Sequence, residues 1–201
     1  VDDPPPLTRQ TFAALADRIL SLPPRLGGTR LVSVDGPAGS GKTTFAARLA
    51  AALGTGTPVV HMDDLYAGWT LTGAASRLAA GVLRPLAEGR AGAHHRYDWA
   101  AGRFSPDLVP VPAGPVLLIE GCGSATRCLD PWSTLRVWIE APEALRLARG
   151  LARDGVDLAG EWQRWLVTEA AAFAAEDTRR RAHLRVDGAA GGPPAGFVLR
   201  T

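Results

Sequence analysis

The chain has 201 residues, 46% of them apolar and 21% charged, with a formal net charge of +2. That length suits a single domain, residues 1–201, with a real core, and so small a charge argues against nucleic acid or a membrane surface as a partner. No apolar run approaches the roughly 20 residues that span a bilayer, and no basic stretch followed by an apolar one opens the sequence as a signal peptide would.

Residues 1–7 are a proline-rich lead-in, expected to be flexible. Apolar residues at 12, 15, 16, 19 and 20 predict a helix from Thr8, its N-cap, to Leu20. Arg30 to Asp35 reads as a buried strand, and the glycine-rich segment after it opens a helix from Thr43 to about Leu53. Pro58 to Met62 is a second strand, delivering Asp63, Asp64, Leu65 and Tyr66 at the end where ligands sit in open α/β sheets. Gly73 to Glu88 reads as a helix broken or kinked at Pro85, and Ala93 to Trp99 as a strand followed by a polar loop with Arg103. Pro115 to Gly121 has the continuous apolar run of a central strand. Cys122 and Cys128 follow, the only cysteines, too few for a disulfide framework and without zinc spacing. They fit a reduced, cytoplasmic protein.

Leu135 to Glu140 is another strand. Pro142 opens a helix that runs to Asp154, Gly155 to Gly160 interrupts it, and a second helix runs from Glu161 to about Arg181. Leu184–Asp187 and Phe197–Leu199 are short closing strands. Alternating strands and helices predict a three-layer α/β fold, a parallel sheet with helices on both faces, and no second domain.

The segment between the first strand and its helix carries the chemistry. Gly36, Gly41, Lys42 and Thr43 satisfy G-x-x-x-x-G-K-[ST], the P-loop of nucleotide-binding proteins. Glycines let backbone N–H groups converge on phosphate oxygens, and the helix N-terminus adds partial positive charge. Gly36, Ala38, Gly39, Ser40, Gly41, Lys42, Thr43 and Thr44 are the predicted ATP-binding residues. Lys42 is the only lysine in the chain, so a bias toward arginine elsewhere spared this position. There is no Asn and no second Lys, so the guanine-reading Asn-Lys-x-Asp of GTPases is absent. No Leu-Ser-Gly-Gly-Gln occurs either, and the chain is too short for a helicase motor. Small-molecule kinases remain.

Beyond the P-loop, Met62-Asp63-Asp64-Leu65-Tyr66, Tyr97-Asp98-Trp99, Ile119-Glu120-Gly121, the arginines of 146–154 and Thr178–Leu184 occur in order. Over residues 30–188 the chain resembles the uridine/cytidine kinase group of the uridine kinase, phosphoribulokinase and pantothenate kinase superfamily. The resemblance implies a P-loop kinase fold with an arginine-bearing lid at about 142–160, ATP and magnesium as cosubstrates, and the base at the first aspartate, Asp63. It also allows a homo-oligomer. The family places a histidine four residues after the Tyr-Asp-Phe aspartate; here that residue is Gly102, so the resemblance supports the reaction better than it supports uridine.

Asp63 is placed to orient a hydroxyl and take its proton, with a loop-capping pair of aspartates as the structural alternative. Asp64 fits the capping role equally well, or holds a metal-bound water. Glu120, at the end of a buried strand beside Thr43, is placed to hold magnesium; a strand-end charge in solvent is the alternative. Arg149 and Arg153, four apart, share a helix face with Arg146 and suit the charge of a transferring phosphoryl group, or else form a solvated face. Arg179–Arg181 are weaker candidates for the adenine or phosphates. Tyr66 and Tyr97, with Trp69 and Trp99 behind them, are candidate acceptor-stacking rings, and Arg103 is the candidate replacement for the missing histidine. Trp162 and Trp165 read as packing.

The expected reaction is ATP- and magnesium-dependent phosphorylation of a hydroxyl on a small molecule, a nucleoside such as uridine or cytidine. Other acceptors stay open: a nucleoside monophosphate, which would draw on Arg96 and Arg103, a vitamin precursor or a secondary metabolite. So does a nucleotide-binding regulator with no acceptor.

Overall fold

A computed structural model of the chain describes residues 8–190 and 195–200. The lead-in, residues 1–7, lies outside the described residues. Nine strands are present among those described: β1 (Thr8–Thr11), β2 (Arg30–Asp35), β3 (Val59–His61), β4 (Gly92–Asp98), β5 (Arg103–Val111), β6 (Val116–Glu120), β7 (Ser133–Glu140), β8 (Leu184–Asp187) and β9 (Gly196–Leu199). Seven form one sheet in the order β1-β9-β8-β7-β2-β6-β3, and β4 and β5 make a separate hairpin. β8, β7, β2, β6 and β3 pair in parallel; β9 and β1 extend the sheet antiparallel beyond β8.

Strand alternation divides the core in two. Val32, Val34, Val116 and Leu118 face α1 (Phe12–Ser21) and α2 (Lys42–Leu53), whose Leu15, Ile19, Phe45 and Leu49 they pack against. Leu31, Leu117 and Ile119 face the other way, onto Leu78, Val82, Leu83 and Trp165. This is the expected three-layer arrangement.

Four expectations need correction. The first helix begins at Phe12, because the Thr11 hydroxyl caps it by accepting from the Ala14 N–H at 3.1 Å; residues 8–11 pair with β9 instead. The helix around 74–87 is α3 (Ala74–Leu78), a π-helical stretch (Ala79–Leu83) and α4 (Arg84–Ala87). The irregularity precedes Pro85, which has no N–H to return to Gly81. The polar loop with Arg103 is instead the start of β5, and the hairpin turn is closed by Asp98, whose carboxylate accepts from the N–H groups of Ala100 and Ala101. Pro106 and Pro110 hid that strand, but an edge strand tolerates proline. The last long helix is divided: after α5 (Glu143–Asp154) come α6 (Ala159–Glu176) and α7 (Thr178–Arg181), separated at Asp177, whose φ is 52°.

Candidate active site

The site lies at the carboxyl ends of β2, β3 and β6. The backbone turns out of β2 at Gly36, where φ is 142° and a Cβ would stand 2.1 Å from the Ile139 carbonyl oxygen. At Gly39, with φ 75°, a Cβ would meet the Arg146 carbonyl oxygen at 2.4 Å. Neither position admits a side chain. The carbonyls that follow are each held by a cation. Lys42 Nζ donates to Pro37 O at 2.9 Å, Arg146 to Ala38 O at 3.3 Å and Arg149 to Gly39 O at 3.2 Å.

Behind the loop lies a buried ion pair. Glu169 of α6 accepts from Arg146 at 3.0 Å on one oxygen, and on the other from the Ala38 N–H at 2.8 Å and the Cys122 thiol at 3.3 Å. Asp35 ends β2 and accepts from the N–H groups of Gly36, Gly123 and Ala125 at 2.7, 3.1 and 2.8 Å, tying the loop after β6 to the P-loop. Its burial lifts its carboxyl to about 6 against those hydrogen bonds.

A cavity of about 650 Å³ opens in front. It brings together Ala38, Gly39, Gly41, Lys42, Thr43, Thr44, Asp63, Tyr66, Glu120, Arg149 and Arg153, eleven of the residues singled out from sequence. Thr43 donates its hydroxyl to Glu120 Oε1 at 3.1 Å, and His61 Nδ1 lies 2.6 Å from the same oxygen. That bond raises the His61 pKa, working against its burial. Asp63 stands on a 3₁₀ turn, Met62–Asp64, directly after β3. It is open to the cavity, yet the enclosing protein desolvates it, and this raises its pKa; Lys42 pulls the other way, Glu120 raises it further, and Arg153 and His61 lower it. Burial works against the Lys42 ammonium, but Cys122, Glu120, Asp63 and Glu169 around it raise its pKa overall.

A second hollow of about 320 Å³ shares Gly41, Thr44 and Arg149 with the first and adds Ser40, Arg48 and Gly188. Gly36 is among the walls of neither. Tyr97 and Arg103 are not among the cavity's walls: the Tyr97 ring packs between Trp99 and Phe104 at 5.3 and 5.2 Å, and Arg103 is exposed at the start of β5. Arg96 pairs with Asp64 at 3.1 Å. Arg179 is bound to Glu140, and Arg181 to carbonyls of Ala125 and Glu176 and to Asp130.

The sequence reading missed His61, Asp35, Cys122 and Glu169, and it did not give Trp162 and Trp165 the cavity wall they form. A signal for Glu169 exists. It continues the stripe of Trp162 and Trp165 at helical spacing, so a carboxylate falls on an otherwise buried face.

No protein-family profile and no curated protein matches the chain. Solved structures do. A possible uridine kinase from Bacillus stearothermophilus superposes with a TM-score of 0.63 at 21% identity, over 87% of this chain and 96% of that one. A candidate fructose transport system kinase from Silicibacter sp. TM1040 gives 0.60 at 25% identity, over 83% and 95%. The YGR205w protein gives 0.57 at 13%, over 89% and 95%. The fold is that of the uridine kinase-like P-loop kinases.

Among the described residues no helix is long and apolar enough to cross a membrane.

Proposed function

We propose that this protein is an ATP- and magnesium-dependent kinase that phosphorylates a hydroxyl group of a small molecule, a nucleoside such as uridine or cytidine. One observation carries the reading. Asp63 and the P-loop residues Lys42 and Thr43 face a single cavity, with space between them for an alcohol and a phosphate chain.

The nucleotide base is assigned to the smaller hollow, and the triphosphate to the passage past Gly41, Thr44 and Arg149 into the larger one. There the N-terminus of α2 offers free N–H groups and Lys42 its ammonium. Thr43 and Glu120 supply hard oxygen donors of the kind magnesium takes with one carboxylate and substrate phosphates. Magnesium, when bound, neutralises charge on the transferring group. Asp63 holds the acceptor hydroxyl in line and receives its proton as that oxygen bonds to the γ-phosphorus and the bond to the β–γ bridging oxygen breaks, with ADP as the leaving group. Its raised pKa makes it a stronger base than an ordinary carboxylate. Arg149 and Arg153 stand over the same space and meet the charge of the phosphoryl group in transit. A monophosphate acceptor is less well supported, because Arg96 is engaged by Asp64 and Arg103 lies outside the cavity walls.

The test is ADP release across a panel of nucleosides, nucleoside monophosphates and vitamin precursors. Lys42→Ala and Asp63→Asn each lower transfer about a hundredfold or more while circular dichroism stays unchanged. Near-normal turnover by Asp63→Asn would remove the assigned base.

A further inference from the structure

Glu120 ends β6 with its side chain 6% exposed, and only one of its two oxygens is engaged. Oε1 accepts twice, from the Thr43 hydroxyl at 3.1 Å and from His61 Nδ1 at 2.6 Å. An ionised carboxylate only accepts, so Nδ1 carries the proton of that bond. Oε2 has no hydrogen-bond donor among the described residues. Glu120 is a wall of the large cavity, so the spare oxygen is the one left for a cation there.

The backbone fixes this arrangement. β3 pairs with β6 in a register that sets His61 directly opposite Glu120. Paired residues send their side chains to the same face of a sheet. Here it is the face that α2 covers: Leu118, two residues before Glu120, and Val59, two before His61, pack there with Phe45 and Leu49. Both side chains therefore emerge beside Thr43 in the first turn of α2. β3 is an edge of the sheet, and the His61 side chain is 41% exposed, so its ring can be replaced without opening the core.

We infer that His61 is a positioning residue for the metal: by occupying Oε1 it holds Glu120 to a single open oxygen, and so sets a preference for magnesium over calcium. The inference rests on the kinase reading above and concerns the metal of that same site. Among the described residues no group of three or more His, Cys, Asp or Glu is placed to hold a metal ion by itself. A cation here depends on Thr43, Glu120 and the phosphates of the nucleotide. So sparse a donor set suits magnesium; calcium takes about 6–8 oxygens and often both oxygens of one carboxylate. Thr43 alone does not restrict Glu120 in this way, because one hydroxyl leaves a lone pair of Oε1 for a second ligand and lets the carboxylate turn. Hydrogen-bond partners that orient a metal-binding group are worth about 10–100-fold in metal affinity.

Mn2+ is titrated into the protein holding a non-hydrolysable ATP analogue, with bound metal read by electron paramagnetic resonance, and is then displaced by Mg2+ or by Ca2+; the analogue alone gives the baseline. ADP release across the acceptor panel and urea unfolding are measured in parallel. His61→Ala lowers Mg2+ affinity by about tenfold or more and narrows the preference for Mg2+ over Ca2+. His61→Asn, whose amide nitrogen takes the place of Nδ1, restores both. A bond that merely fastens β3 to β6 would move the urea midpoint and leave the metal preference alone. An unchanged preference in His61→Ala, or one that His61→Asn does not restore, overturns the inference and leaves the kinase reading standing. Metal binding that follows these variants without ADP release from any acceptor removes the kinase reading and leaves the role of His61. No metal binding above the baseline by the natural protein ends both.

Discussion

Replacing Glu169 by Ala removes the counter-charge from a guanidinium that is itself only 8% exposed. Arg146 keeps its bonds to the Ala141 and Ala38 carbonyls, at 3.1 and 3.3 Å, but neither is an anion. Its other acidic neighbour, Glu143, stands 3.9 Å away with an exposed side chain, too distant and too wet to take over. The Ala38 N–H also loses its acceptor. Breaking a buried pair from one side costs about 3–5 kcal/mol, and an orphaned buried N–H about 1–3 kcal/mol. The two overlap, because relaxation that lets water reach Arg146 also reaches Ala38, so we expect a loss of about 4 kcal/mol. Against a typical domain stability of about 5–15 kcal/mol this is a large fraction. The double variant Arg146→Met/Glu169→Leu removes both charges and recovers most of the loss. The assay is urea unfolding, read as a shift in midpoint at constant slope. A Glu169→Ala midpoint within error of the natural protein, or a double variant no more stable than the single one, would refute this account of the buried pair.

Two further outcomes are expected. A Cβ at Gly150 would stand 2.2 Å from the Trp162 ring, so Gly150→Ala forces α5 and α6 apart; we expect a loss of about 1–3 kcal/mol in unfolding stability and a raised KM for the acceptor with less change in that for ATP. Asp35, lifted by burial from 3.8 to about 6, favours the protonated form in the folded state, so its contribution is full below about pH 4 and is lost as pH rises through about 6. The span corresponds to about 3 kcal/mol at most; Asp35→Asn flattens this limb of a stability–pH profile, and parallel profiles for the two proteins would contradict it.

The parts of the fold that could be read from sequence are those where local pattern and tertiary role coincide. β2 and β6 carry mostly apolar residues because both faces are covered, and the P-loop is fixed by backbone geometry that glycines encode directly. The apolar stripe at 12, 15, 16 and 19 does not tell where capping starts, so Thr8 and Thr11 are equivalent in sequence until β9 is present to pair with residues 8–11. The site shows the same division. Asp63 follows β3, Glu120 ends β6, and Lys42 and Thr43 open the helix after the P-loop, so their meeting place follows from topology. Trp162 and Trp165 look like packing residues at helical spacing, and they are nearly buried; only the folded chain brings them to the wall of the cavity. Tyr97 and Arg103 belong to a short motif that does not show the β4–β5 hairpin, which carries them outside the cavity walls.

The grips on Ala38 come from far along the chain: Arg146 is 108 residues away and Glu169 is 131. During synthesis, the glycine loop and its lysine therefore leave the ribosome long before the groups that set their shape. A nascent chain that ends before α5 has the complete phosphate-binding signature in its sequence and still lacks the braces that make it a receptor. On the proposed function, nucleotide capture therefore belongs to the finished protein and not to the part of the chain that precedes α5.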